Sequence, residues 1–304
     1  MKAKGVVVLG MHRSGTSALS GELSRLGVFM GKNLHGPKKG VNEKGFGENV
    51  SLVDLNEKIL HSVGSSWHDP LFLIKSKRDI SKFKSLGLSL IDSEYSDSLL
   101  WGMKDPRVSL LFDFWLDIFE ESSSKLFFIH MIRDPREVAE SLRVRNGFSY
   151  DYSFLLWIIY NYKISIKKHS IHCLTVDFSE LISRNVAVSS EISEFLEVDT
   201  NEVLQSSSFI DKKLQNNKVS ITQPLVGSNI ENLALEIYKE IKTDNFPDYL
   251  FEKVDGLLEE TIFSVNKIIV EYTDSLKENE LFYESKLLNI YRSLPWRIYN
   301  KFKR

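Results

Sequence analysis

The sequence predicts an α/β protein: a mostly parallel sheet flanked by helices, with a C-terminal helical extension. Three observations predict it. The unbroken apolar run Gly5-Val-Val-Val-Leu-Gly10 has the composition of a strand covered on both faces. A glycine-containing loop and then a helical apolar spacing follow it directly. Strand-like and helix-like segments continue to alternate along the chain, the order that builds a parallel sheet with helices on its faces.

The elements follow in order. In 17–26, Leu19, Leu23 and Leu26 share one helical face, and Gly27 is suited to stop the helix. Residues 31–49 contain Gly31, Gly36, Gly40, Gly45 and Gly47 with Pro37, and read as a long ordered loop of the kind that carries function or moves. Leu52, Leu55, Ile59 and Val63 restore helical spacing. The runs 99–103 and 125–132 are strand-like, and end at Lys104-Asp-Pro-Arg107 and Arg133-Asp-Pro-Arg136. A helix is expected from Pro135, since proline suits a first helical turn. An aromatic-rich helix at 153–168 and a core strand at 172–176 complete the sheet region. Ligand sites of parallel sheets lie beyond the carboxyl ends of the strands. Segments 10–17, 104–107 and 133–136 all follow strand-like runs, so one shared site is expected.

The bulk properties narrow the function. A length of 304 residues suits one large α/β domain, or one domain with an appendage. With 42% hydrophobic residues, global disorder is excluded. Lys and Arg number 39 against 41 Asp and Glu, so bulk charge does not serve nucleic-acid binding and no nucleic-acid partner is expected. Cys173 is the single cysteine, which excludes an intrachain disulfide and a metal–thiolate cluster; its apolar neighbours mark it as a core residue. The first apolar run is broken by Gly10 and His12 too early for a signal peptide or a membrane span. A cytoplasmic location is therefore expected.

The expected division is an α/β domain at 1–215 and a helical extension at 216–304. Leu258, Ile262, Val265, Ile269, Tyr272, Leu276, Asn279 and Tyr283 form a heptad seam. Over 250–290 it fits a coiled coil, and so a homodimer, and equally a long helix packed back on the domain. Residues 286–304 contain Lys286, Arg292, Arg297, Lys301, Lys303 and Arg304, no acidic residue, and several aromatics. That composition fits peripheral contact with the inner membrane face, and also an ordinary solvated tail.

A loop between a buried strand and a helix presents backbone N–H groups and the positive helix end to an anion. Gly10 and Gly15 permit the tight turn, and their spacing matches the start of the P-loop pattern G-x-x-x-x-G-K-[ST]. Thr16 stands where that pattern requires lysine. Arg13 can supply the missing cation from inside the loop, and Ser14, Thr16 and Ser17 add hydroxyls. The fold expected is thus of P-loop type without the lysine that a nucleoside triphosphatase uses.

His12-Arg-Ser-Gly-Thr-Ser17 is similar to the 5′-phosphosulfate loop of the sulfotransferases, usually Pro-Lys-Ser-Gly-Thr-Thr, with Arg13 in the lysine position. Arg133 and Ser141, eight residues apart after a strand, resemble the family's pair for the nucleotide 3′-phosphate. Lys104-Asp-Pro-Arg107, Gly45-Phe-Gly-Glu48 ahead of Asn56, and Gly64-Ser-Ser-Trp-His-Asp-Pro70 resemble segments of its bacterial members. The likeness runs through roughly residues 5–200. The Gly-x-x-Gly-x-x-Lys segment of the cytosolic animal enzymes is missing, which leaves Arg143, Arg145 or the 212–232 loop to cover the adenosine.

The resemblance implies 3′-phosphoadenylyl sulfate (PAPS) as co-substrate, held by Arg13, Ser14, Gly15, Thr16, Ser17, Arg133 and Ser141, with no metal. It implies transfer of the sulfuryl group to a carbohydrate hydroxyl of a surface polysaccharide or lipid-linked glycan. Such a transfer asks for positioning and charge stabilisation. Arg13 and Lys104 are the expected cations, with His12 touching the transferring group. Glu48 is the expected general base, with Asp105 next and His68 and Asp69 as weaker rivals; Asp105 and Arg107 are expected to brace each other. Two other readings stand beside it: a P-loop nucleotide kinase or triphosphatase with Asp134 toward a magnesium ion, and a non-catalytic nucleotide-binding scaffold in glycan assembly.

Overall fold

The computed structural model describes residues 2–36, 47–70, 79–199 and 225–292. Within them lies a four-stranded, all-parallel sheet of order β2-β1-β3-β4, with β1 at Lys4–Leu9, β2 at Leu100–Lys104, β3 at Lys125–Ile132 and β4 at Cys173–Asp177. β1 pairs on both sides: Val6 lies level with Gly102 of β2 and with Phe127 of β3. A central strand covered on both faces has no solvent side to alternate toward. Accordingly Val6, Val7, Val8 and Leu9 are all buried.

The helices are α1 (Thr16–Arg25), α2 (Val50–Ser62), α3 (Lys84–Tyr95), α4 (Arg107–Leu110), α5 (Phe112–Glu120), α6 (Pro135–Asn146), α7 (Tyr150–Lys167), α8 (Phe178–Ser183), α9 (Asn185–Phe195), α10 (Asn229–Lys242) and α11 (Asp248–Arg292). On one face of the sheet Val6, Val8, Phe127, Ile129 and Met131 pack with Leu19 and Leu23 of α1, Leu181 of α8 and Ile192 of α9. On the other, Phe128 meets Phe112 and Phe119 of α5 edge-on, with centroids 5.5 and 6.1 Å apart. α7 is buried through Phe154–Asn161, because the sheet, α6 and α10 enclose it. Each large apolar side chain shut in there contributes about 1.5–3 kcal/mol.

Several boundaries move by a few residues for identifiable reasons. β2 runs on to Lys104 and β4 to Asp177 because their ladders with neighbouring strands continue that far. The aromatic helix starts earlier, at Tyr150, where Ser149 caps it by accepting from Tyr152 N at 3.3 Å. The helix expected at Pro135 does begin there, capped by Asp134. Strand order sets β1 between β2 and β3, so the three loaded strand ends lie side by side.

The first compact unit runs from Met1 to Leu250, and a second from Phe251 to Arg304. The boundary expected at 215/216 falls outside the described residues. Beyond it, α10 belongs to the first unit: Tyr238 donates to Asp177 Oδ2 at 2.5 Å, and its ring meets Trp157. α11 is a continuous helix of 45 residues, in the place of the helix expected from about 249. Most side chains of the heptad seam, and residues 293–304 of the basic tail, fall outside the described residues. Among the described residues, no helix is long and apolar enough to cross a membrane.

Candidate active site

The loop from β1 to α1 is shaped by close approach to its neighbours. Gly10 (φ 139°) abuts β3 so tightly that a Cβ would strike the Met131 carbonyl oxygen, and a Cβ on Gly15 (φ 95°) would strike the Phe178 ring. Arg13 takes a left-handed conformation (φ 71°) without being glycine, a strain of about 1 kcal/mol or more. Ser109 of α4 clasps the strand end, accepting from Gly10 N at 2.9 Å and donating to Gly10 O at 3.2 Å. Gly15 brings no side chain to cap α1, and no acidic residue lies in its first turn. The positive end of the helix therefore faces the loop uncompensated by a local carboxylate.

Behind the loop, Arg13 Nε donates to Ser141 Oγ at 2.7 Å, which ties loop to α6. Arg133, at the end of β3, donates from Nη1 to the Arg13 carbonyl oxygen at 3.2 Å and from Nε to Glu137 at 2.7 Å. Its guanidinium lies 4.5 Å from the centre of the Phe178 ring. Burial, then Arg145 and Arg133, bring Arg13 down to about 10. A bound anion would relieve such crowding of cations. The Ser14 hydroxyl is buried in the same loop with no hydrogen-bond partner. Buried polar groups without partners are rare, and here the orphan fits a ligand oxygen. Arg13, Arg133 and Ser141 are thus brought together at the loop that Ser14, Gly15, Thr16 and Ser17 continue into α1.

On the β2 side, the buried Lys104 donates from Nζ to Glu48 Oε1 at 2.7 Å and to Ser17 Oγ at 3.1 Å. The backbone that carries Glu48 is pinned. His35 N donates to Glu48 O at 2.8 Å, Val50 N donates to Asn33 O at 2.8 Å, and Leu34 bridges Asn49. Asn49 caps α2 through Leu52 N (3.1 Å) and donates to Glu94 Oε2 at 2.6 Å. Glu94 also accepts from Lys32 N at 3.0 Å, so one α3 carboxylate gathers both sides of the loop. The resembling residues Gly45 and Phe46 lie outside the described residues.

Asp105 and Arg107 brace each other. Arg107 Nη1 donates to Asp105 Oδ1 at 2.8 Å and its Nε to Glu57 at 2.5 Å. Asn56 donates to Asp105 Oδ2 at 2.7 Å and accepts from Trp115 Nε1 at 2.9 Å. Burial alone would lower Arg107, but Asp105 and Glu57 outweigh it and raise it above its ordinary value. Both oxygens of the fully buried Asp105 are engaged in this brace, whereas the Glu48 side chain keeps 14% of its surface exposed.

His12 stands against an aromatic wall. Its ring centroid lies 4.5 Å from Trp67 and 6.2 Å from Tyr160. Tyr160 donates to the Trp67 carbonyl at 2.7 Å and Tyr152 to the His68 carbonyl, so α7 holds the 64–69 turn from two points. Burial first, then Arg107, Arg145, Lys104 and Arg13, hold His12 well below its ordinary value, and its Nε2 is buried without a partner. His68 and Asp69 are occupied locally, by Ser66 at 3.2 Å and Ser65 at 2.9 Å. Arg143 points away, paired with Glu140 at 2.7 Å. Arg145 points in, its guanidinium 5.3 Å from the Trp67 ring. Tyr160 is the residue of this wall that the sequence did not single out; Trp67 entered only through the Gly64–Pro70 likeness, and Arg145 only as a candidate to cover the adenosine. Among the described residues, no group of three or more His, Cys, Asp or Glu could hold a metal ion.

No protein-family model and no curated protein sequence matches the chain. Among solved structures it is similar to the sulfotransferase domain of the Synechococcus PCC 7002 olefin synthase, at 18% identity and TM-score 0.45, covering 86% of this chain and 96% of that one. It is similar also to the sulfotransferase domain from the curacin biosynthetic pathway, at 16% identity and TM-score 0.48, covering 80% and 99%. A third likeness is to mouse sulfotransferase SULT7A1 complexed with PAP, at 16% identity and TM-score 0.38, covering 88% and 89%.

Proposed function

We propose that the protein is a PAPS-dependent sulfotransferase that moves a sulfuryl group to a carbohydrate hydroxyl, on a surface polysaccharide or a lipid-linked glycan. The observation that carries the reading is the seat around Ser14. Arg13 and Arg133 converge there with Ser141 on a loop whose partnerless hydroxyl and helix end call for an anion. The residue types and spacing of this seat also resemble the sulfotransferase loop and its 3′-phosphate pair. Thr16, in the lysine position of a P-loop, supports this reading over the kinase or triphosphatase one.

When bound, PAPS supplies the sulfuryl group and carries the phosphate that leaves. In this reading Arg133 and Ser141 hold the 3′-phosphate, and the N–H groups of Ser14, Gly15, Thr16 and Ser17 hold the 5′ end. Arg13 and Lys104 meet the charge that grows on the departing phosphate oxygen. Glu48, held toward the loop by Lys104, takes the acceptor hydroxyl proton, a contribution of about 10²–10⁴-fold. His12, neutral among its cations, offers a hydrogen bond to the transferring group. A glycan presented at the inner membrane face completes the reading, and the basic and aromatic composition of 286–304 suits contact with anionic lipid.

The test is a titration with 3′,5′-adenosine bisphosphate and with ATP–magnesium. Tighter binding of the bisphosphate is expected; preference for ATP, or indifference to the 3′-phosphate, overturns the assignment.

A further inference from the structure

Four cations face His12: Arg107, Arg145, Lys104 and Arg13. Their charges are met in different ways. Arg107 is neutralised by Asp105 and Glu57, and Lys104 by Glu48. Arg13 bonds the Ser141 hydroxyl and belongs to the anion seat. Arg145 forms no ion pair among the described residues; its guanidinium donates to the neutral amide of Asn146 at 2.7 Å. Burial pulls it below its ordinary value, Glu48 opposes, and Arg107 adds to the fall. Arg145 is exposed, and its guanidinium, which no carboxylate among the described residues pairs directly, is open to a carboxylate or a phosphate from a ligand.

Its neighbours say which side of the site it serves. Arg145 is felt by Glu48, Arg107 and Tyr160, and stacks over Trp67. Arg133, by contrast, engages Glu137, Phe178 and the Arg13 backbone. So Arg145 stands between Glu48, the residue given the proton-accepting role, and Arg13, and on the Trp67 side of both. Trp67 is half-buried and fixed by Tyr160, which leaves a rigid aromatic surface beside a planar cation. A sugar ring is recognised by an aromatic surface, and a carboxylate or phosphate on that ring by the two-pronged guanidinium.

We propose that Arg145 and Trp67 form the acceptor subsite, and that the acceptor is an acidic sugar, carrying a carboxylate or phosphate beside the hydroxyl that is modified. The proposal rests on the sulfotransferase reading above, whose own test is separate. The experiment has two arms, on the full chain and on Arg145→Gln and Arg145→Lys variants checked for native circular dichroism. In the first, 3′,5′-adenosine bisphosphate is titrated; its affinity is expected to stay within about threefold in both variants. In the second, protein saturated with the bisphosphate is titrated with phenyl glucuronide and with its neutral counterpart phenyl glucoside, read by tryptophan fluorescence. The glucuronide is expected to bind about tenfold more tightly in the wild type. That preference should vanish in Arg145→Gln and partly return in Arg145→Lys. Equal or absent binding of the two sugars, or a preference that survives in Arg145→Gln, overturns the acceptor assignment and leaves the nucleotide reading intact. Loss of bisphosphate affinity in Arg145→Gln overturns it too, by moving Arg145 to the nucleotide.

Discussion

Strands β2 and β3 end in nearly the same four residues, Lys104-Asp-Pro-Arg107 and Arg133-Asp-Pro-Arg136, and use them differently. In both, the aspartate accepts from the backbone N–H two residues on, at 3.2 Å for Asp105 and 2.9 Å for Asp134, and pairs with the arginine at that position. Asp-Pro-Arg is therefore a device for starting a helix directly after a strand. The surroundings separate the two copies. Asp105 is fully buried and extends through Asn56 to Trp115, whereas Asp134 is partly open and serves its own helix. The cation before each device differs as well: Lys104 meets Glu48, and Arg133 meets the Arg13 backbone and Glu137. One local motif thus positions two ends of a site, and the residue in front decides which end.

The largest expected difference is in stability. Asp105→Ala leaves the buried Asn56 amide without its acceptor and Arg107 with Glu57 alone, and should cost about 3 kcal/mol in urea unfolding. A loss below about 1 kcal/mol would mean that the brace is incidental. Next comes ligand selectivity. Arg133→Ala should weaken 3′,5′-adenosine bisphosphate about thirtyfold, near 2 kcal/mol, and leave AMP almost unaffected. Lys104→Ala should weaken both alike, because the proposed reading sets it at the 5′ end; equal behaviour of the two variants would break the comparison.

A comparable effect is expected from pH, and it belongs to β3, since β2 holds no histidine. Burial, and then Lys168, bring His130 down to about 3, although its Asn161 bond opposes this. Below about 6.5 the unfolded chain binds a proton at this residue that the fold excludes. Stability should therefore rise with pH between about 3 and 6.5, and fall by about 2 kcal/mol on acidification from 6.5 to 5. His130→Gln should remove that share of the slope and leave the share of His12, which is likewise held below its ordinary value; an unchanged slope refutes the assignment. The smallest effect is that of Asp134→Ala, about 1 kcal/mol for a lost helix cap, read by the same unfolding measurement.

The strands were legible because burial on both faces leaves an unbroken apolar run, as in Val6–Leu9 and Phe127–Ile132. The Arg133–Ser141 spacing was legible because strand and helix join without a loop, so sequence distance maps onto space. The Asp105–Arg107 brace was local and therefore visible. Glu94 was not, since its partners Lys32 and Asn49 lie 62 and 45 residues away. Nor was the wall around His12, assembled from the 64–69 turn, the end of α6 and the middle of α7. Packing of distant segments leaves no periodic trace in any one of them.

The hydroxyl ties from α7 to the 64–69 turn span 84 and 93 residues. Contacts so distant along the chain form after the costs of closing the intervening loop have been met. The turn bearing Trp67 has no regular structure of its own to hold it beforehand. It is set in place by α7, just as the Gly10–Gly15 loop is set by ties of 99 and 128 residues to Ser109 and Ser141. The glycine loop and the aromatic wall therefore take shape together, once distant segments of the first unit have met.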